Sequence, residues 1–377
     1  MGTTAPAPRR SGPSRWARLA LGAMVSVALT EGLLRVGMTV WARRARPNCG
    51  VRPELLARLQ TAYANDGPSN EGGTDGVTFD AHRGFRHQAN LRELPVHGIP
   101  VSTNSRGLRG AQEFPVPRPP GATVRIAALG DSFTFGEGVR DDETWPAQLA
   151  GAIPGTEVMN LGERAYAHDQ MYFALRDVGL SLQPDVVILG FYPNDLWRDE
   201  LTFYCAEKPR FSEASGGWRV DNYPVPAPAQ AWSAVRRLPL VYAIPRVIVE
   251  SLTQSPTTDR SGEERGAEAL RRIREATVAA GARLVLVNLP DHPDRGPEEG
   301  SFFHRWCAAT QTECVDVAPL FVEFAGNADG DAIRARFQGP HGDIHYSREG
   351  YRVVAEALRR HFAQHPLTRA GARPAAP

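Results

Sequence analysis

The sequence predicts an α/β protein: a three-layer α/β/α sandwich on a five-stranded parallel sheet, preceded by a transmembrane helix. Two observations carry this. From about residue 124 onward, five short apolar runs alternate with segments of helical period, the pattern of a parallel sheet covered on both faces. Near the N-terminus, an Arg cluster leads into an apolar stretch long enough to cross a bilayer.

Taken in order, residues 1–15 are rich in Pro and Arg without apolar period, and are expected to form a disordered cytoplasmic tail. Residues 16–41 are expected to be the anchor. Arg9, Arg10, Arg15 and Arg18 precede the apolar run 19–30, and 36–41 is apolar again. Between them stand Glu31 and Arg35, one helical turn apart and able to pair on one face. As a helix, the stretch through Trp41 is about 35 Å long. Arg43, Arg44 and Arg46 flank its far end, so the charge asymmetry only leans toward a cytoplasmic N-terminus. No small-x-small cleavage site follows, which favours a retained anchor over a cleaved signal peptide. The alternative is an amphipathic helix lying on the domain.

Residues 42–121 read as an irregular extension and linker, turn-rich at 104–110 and extended at 114–120. Strand candidates follow at 124–129, 158–161, 186–191, 284–289 and, shorter, around 314–317. Helix candidates are 146–152, 169–180, 263–280, 301–309 and 347–365, with Thr144 as an N-cap and Gly281 as a stop. In the last helix Tyr351, Val354, Ala355, Leu358 and Phe362 recur at helical spacing and are expected to face the core. The domain is expected to span 122–366, with an insertion at 199–260 and a disordered tail at 367–377.

Composition bounds the function. At 377 residues with a net charge of +1, bulk electrostatics suggests neither nucleic acid nor an anionic surface as partner. Lys208 is the sole lysine. The four cysteines, Cys49, Cys205, Cys307 and Cys314, include no C-x-x-C pair, so neither redox nor zinc chemistry is indicated. Cys307 and Cys314 suit either a short-loop bridge or two buried thiols.

The chemistry gathers at two places. The first apolar run ends in Gly130-Asp131-Ser132, followed by Gly136 and Gly138. A buried strand that turns sharply and presents a Ser exposes a nucleophile at the carboxyl edge of a sheet. A Ser hydroxyl needs a base, and Asp343-Ile344-His345 offers one. Two residues apart in an extended segment, Asp343 and His345 point the same way. Asn160-Leu161-Gly162 and residues 190–195 close two further strands and can bring Gly162 and Asn194 to the same crevice. A phosphate loop is disfavoured because no Gly-Lys-Ser/Thr follows Gly130. A metal is disfavoured because no ligand cluster accompanies His341 and His345.

These blocks, in this order, resemble the SGNH (GDSL) hydrolase superfamily, of the membrane-anchored bacterial type, over about residues 122–365. The resemblance implies the strand order 2-1-3-4-5, Ser132 as nucleophile, His345 as base and Asp343 as its orienter. It implies an oxyanion hole from the Ser132 and Gly162 amides and the Asn194 side chain. The third block has three residues rather than one between Gly190 and Asn194. The reading is a serine esterase needing no cofactor, anchored in the lipid bilayer with its catalytic domain outside the cytoplasm. Its substrate is expected to be an acylated small molecule or carbohydrate, short-chain and acetyl-like. The alternatives are an O-acyltransferase on an envelope glycan and a catalytically idle glycan-binding relative. The insertion at 199–260, with Trp218, Trp232 and a hairpin around 215–218, is expected either to cap the crevice or to be a surface excursion that packs against the domain or membrane. Its part 235–252 is apolar enough to sit near lipid, but Arg236, Arg237 and Arg246 argue against a second span. Arg106 or Arg109 is expected either to reach the crevice or to belong to a packed extension.

Overall fold

The computed structural model describes residues 14–45, 49, 53–64, 76–118, 124–253, 260–296, 298–326, 328–340 and 343–369. The expected tails, apart from residues 14, 15 and 367–369, lie outside that set. The chain divides into two units: residues 1–66 with 231–255, and residues 67–230 with 256–377.

In the larger unit five strands form one parallel sheet: β1 Val124–Leu129, β2 Thr156–Asn160, β3 Val186–Phe191, β4 Arg283–Asn288 and β5 Glu313–Asp316. Their spatial order is β2-β1-β3-β4-β5, as the resemblance implies. Alternate residues of each strand serve opposite faces. Ile126, Ala128, Ile188, Val285 and Val287 enter a core with Trp145 and Leu149 of helix Trp145–Ala152 and the inner face of helix Arg348–Gln364. Ala127, Leu129, Val187, Leu189 and Leu286 enter a second core with Met171 of helix His168–Ala174 and Leu270 and Ile273 of helix Arg260–Ala279. That division makes the three layers. The expected core face of the last helix is buried, from Tyr351 through Phe362, and Thr144 caps its helix by accepting from the Ala147 amide. Cys307 and Cys314 form a disulfide that joins the end of helix Phe302–Thr310 to β5.

The extension is more ordered than its Gly and Pro content predicts. It holds a helix at Glu54–Ala64 and two antiparallel ribbons, Val77–Asp80 with Gly84–His87 and Leu94–Val96 with Ile99–Val101. Runs of three and four residues are too short to leave a readable period.

The insertion is two structures rather than one. Its first part forms the hairpin Arg210–Ala214 with Gly217–Asp221, at the expected turn. Phe211 there packs on the rings of Tyr172 and Phe173 and under the Arg272 guanidinium, along the flank of the sheet. Its later part belongs to the smaller unit.

In that unit the helix Arg15–Arg44 is long and apolar enough to cross a membrane. Trp232, Val235, Leu240, Ala243 and Val247 close a small core with Ala42, Leu59, Ala62 and Tyr63. The expected Glu31–Arg35 pair is present at 2.6 Å, and both partners also reach further. Arg35 donates to the Arg236 carbonyl at 2.6 Å, the Leu238 carbonyl at 3.0 Å and the Tyr63 hydroxyl at 2.9 Å. Glu31 accepts from the Val241 amide at 3.0 Å.

Candidate active site

β1 delivers its last residue to a turn that only glycine fits. Gly130 has φ +156, and a Cβ there would lie 2.1 Å from the Thr134 hydroxyl. Asp131 then caps the one-turn helix Ser132–Phe135 by accepting from the Phe133 amide at 3.0 Å. Ser132 is the first residue of that turn, so its own amide has no partner inside the helix.

The segment at 343–345 arrives from the other end of the chain. Gly339 donates its amide to the His345 carbonyl at 2.8 Å, fixing the backbone there. Asp343 Oδ1 accepts from the His345 amide at 3.1 Å and lies 2.7 Å from His345 Nδ1. His345 Nε2 lies 2.8 Å from Ser132 Oγ. With the proton on Nδ1, Nε2 is left as the acceptor for the Ser132 hydroxyl. Phe133 walls the imidazole, with ring centroids 5.0 Å apart.

The electrostatics suit a proton acceptor. Burial opposes the charged imidazolium of His345. The Asp343 hydrogen bond and the carboxylates of Glu137, Asp343 and Asp131 more than offset it, holding its pKa above the usual imidazole value. Asp343 is held below the usual carboxylate range by its hydrogen bond with His345, against partial burial.

The two other expected residues are otherwise engaged. The Gly162 amide donates to Asn160 Oδ1 at 2.9 Å. A Cβ on Gly162 would stand 2.2 Å from the Phe135 amide nitrogen, so this glycine lets β2's exit pack on the Ser132 turn. The Asn194 side chain is exposed and donates to the Tyr192 hydroxyl at 2.9 Å.

Further residues surround the site, and Asn160, Arg198 and Glu137 among them are given no role by the sequence. Asn160 donates to the Thr134 carbonyl at 3.0 Å, tying β2 to the Ser132 turn. Arg198 is buried and donates to Asp131 at 3.0 Å, Asp195 at 2.6 Å and the Tyr166 carbonyl at 3.1 Å. Lys208 is fully buried against Asp169 at 2.6 Å. Arg109 does not line the crevice. It donates to Asp141 at 2.6 Å and to the Val139 carbonyl at 2.8 Å, bracing the loop after the Ser132 turn. Arg106 is exposed. Glu137, inside the glycine-rich stretch itself, lies 3.7 Å from His345 Nε2 and is held by His97 at 3.0 Å and Arg164 at 3.2 Å. A charged residue among those glycines was the available signal for it.

The profile of the GDSL-like lipase/acylhydrolase family matches residues 128–353, from the strand before Ser132 to beyond His345. The chain belongs to that family. This GDSL-like protein is therefore a serine hydrolase of the esterase and acylhydrolase class. Among solved structures it is similar to a protein of the G-D-S-L family from Desulfitobacterium hafniense DCB-2 (16% identity, TM-score 0.38, covering 63% of this chain and 98% of that one). It is also similar to a catalytic mutant of an acetylxylan esterase from Geobacillus stearothermophilus (15%, TM-score 0.38, covering 63% and 94%). At these scores neither likeness assigns a substrate. A phosphoglucosamine mutase from Streptococcus uberis is 28% identical over 178 residues, 46% of this chain. The chain spans only 35% of that relative's length, and the match transfers no activity.

Proposed function

We propose that this GDSL-like protein is a membrane-anchored serine esterase that removes short acyl groups, acetyl in particular, from carbohydrate outside the cytoplasm. The observation that carries the catalytic part is the single imidazole joined to both Ser132 Oγ at 2.8 Å and Asp343 Oδ1 at 2.7 Å. In this reading Ser132 Oγ attacks the ester carbonyl and its proton passes to His345 Nε2. Asp343 keeps the Nδ1 proton in place and favours the imidazolium that forms. The Ser132 amide and the Asn194 side chain hold the oxyanion, with Asn194 turning from Tyr192 as charge develops. The Gly162 amide joins them only by sharing its bond to Asn160. His345 then gives the proton to the departing alcohol, and water, deprotonated by the same imidazole, releases the acid.

The placement outside the cytoplasm is supported by the Arg cluster ahead of the apolar helix and by the Cys307–Cys314 disulfide, which persists in oxidising compartments. The carbohydrate preference is supported by the polar rim beside His345, where Glu137, His97 and Arg164 meet, as hydroxyl-rich alcohols require. Specificity constants across acyl lengths, on nitrophenyl esters and on acetylated glycans, test the reading. A maximum at acetyl and a preference for the glycan are expected. A steady rise toward long chains would replace it with a lipase or thioesterase. Acyl transfer to an added sugar in place of hydrolysis would make it a transferase.

A further inference from the structure

The charges that interrupt the apolar helix Arg15–Arg44 are spent on a neighbour. Glu31 accepts from the Val241 amide, a free amide at the start of helix Leu240–Thr253, and Arg35 holds the Arg236 and Leu238 carbonyls just before it. These bonds pin the beginning of Leu240–Thr253 to the C-terminal half of the long helix, at Glu31 and Arg35. Leu240, Ala243 and Val247 then bury against that unit's core.

The rest of the short helix is divided by angle. At about 100° per residue, Ile248, Leu252, Pro245, Val249 and Tyr242 fill a second arc of roughly 120° beside the buried one. This arc is apolar and open: Leu252 is 81% exposed, Tyr242 63%, Val249 57% and Ile248 53%. Arg246 and Glu250, paired at 2.6 Å, mark the remaining polar arc. A soluble surface seldom presents so many large apolar side chains on one short helix. The element it is latched to presents the same kind of surface: Leu19, Met24, Leu29, Leu33 and Val36 of the long helix are all exposed. The apolar arc therefore continues the surface that a bilayer would cover. With 14 residues the short helix is about 21 Å long, too short to span. A buried arc, an apolar arc and a polar arc are what a helix lying in the interface needs.

We infer that helix Leu240–Thr253 is a second membrane contact, lying in the lipid interface with Tyr242, Ile248, Val249 and Leu252 among the acyl chains and Arg246 and Glu250 toward the headgroups. This rests on reading Arg15–Arg44 as a membrane span, and its test separates the two. No native cysteine is free, so single variants Leu29→Cys, Ile248→Cys, Leu252→Cys and Glu250→Cys of the full chain can each carry one fluorophore. They are reconstituted in vesicles of phosphatidylcholine and phosphatidylglycerol. Labels at 29, 248 and 252 are expected to be quenched by brominated acyl chains at least about twice as strongly as by aqueous iodide, and the label at 250 the reverse. Lipid quenching at 29 with aqueous quenching at 248 and 252 overturns the inference and leaves the anchor standing. Protection of 248 and 252 from both quenchers assigns the face to a protein partner or a second copy, and also overturns it. Aqueous quenching at 29 removes the anchor and this inference together.

Discussion

The proposed nucleophile side and the proposed oxyanion side of the site differ in readiness. Ser132, His345 and Asp343 already share bonds of 2.8 and 2.7 Å, and the turn beneath them is held by Asp131, Arg198 and Asn160. The Asn194 amide and the Gly162 N–H instead serve Tyr192 and Asn160. The first set already stands within proton-transfer reach before substrate arrives. The second need act only when charge appears on the substrate oxygen, so its donors can rest on internal acceptors and move. The difference suggests a site whose attack geometry is fixed and whose charge stabilisation is induced.

The largest expected effect lies on the fixed side. Ser132→Ala should keep the fold and lose about ten-thousandfold or more in kcat, together with labelling by a fluorophosphonate. Undiminished turnover in a folded Ser132→Ala protein would remove the mechanism altogether.

On the mobile side, Asn194→Ala should leave the melting temperature unchanged and lower kcat about a hundred- to a thousandfold. Tyr192→Phe removes the resting partner of that amide, a bond worth about 1 kcal/mol, and should raise kcat by up to roughly fivefold. If steady-state kinetics find both variants equal to the parent, Asn194 is not a donor and the contrast collapses.

Gly162 separates structure from chemistry. A methyl group there meets backbone at 2.2 Å, so Gly162→Ala should cost roughly 1–3 kcal/mol of stability, read by denaturant unfolding. A fully stable variant with depressed kcat would instead return Gly162 to the oxyanion hole.

The smallest effect concerns pH. In the proposed mechanism His345 must be neutral to accept the Ser132 proton, so kcat/KM should rise as pH passes its raised pKa. Glu137 favours the imidazolium from 3.7 Å away. Glu137→Gln should therefore move that acidic limb to lower pH and change the plateau little. A limb that stays in place, or moves up, would show that Glu137 does not act on the imidazole.

The fold was largely legible because its strands are buried on both faces and read as plain apolar runs. β2 shows the limit: Thr156 and Glu157 pair with β1, but their polarity hides the strand's start. In the candidate site, the meeting of Ser132, His345 and Asp343 was legible because each sits in a local motif whose backbone aims it. The engagements of Gly162 and Asn194 were not, since they depend on where the Asn160 side-chain oxygen and the Tyr192 hydroxyl settle after folding. The same holds for the latch of Glu31 and Arg35. Their mutual pairing follows from helical spacing, whereas their partners at 236–241 are about 200 residues away and nothing in the sequence links them. An apolar arc on a short helix also reads alike whether it covers a crevice, a core or lipid, which is why the insertion resisted assignment.

Lys208 carries one practical consequence. It is the chain's only lysine, and it is fully buried against Asp169. Amine-reactive reagents thus find no lysine on the folded surface, and coupling to a matrix or a dye through side-chain amines should fail on native protein. The same scarcity makes a sensor. In a denaturant titration, mass added at this one side chain would time the opening of the interior beneath the site, without a probe having been introduced.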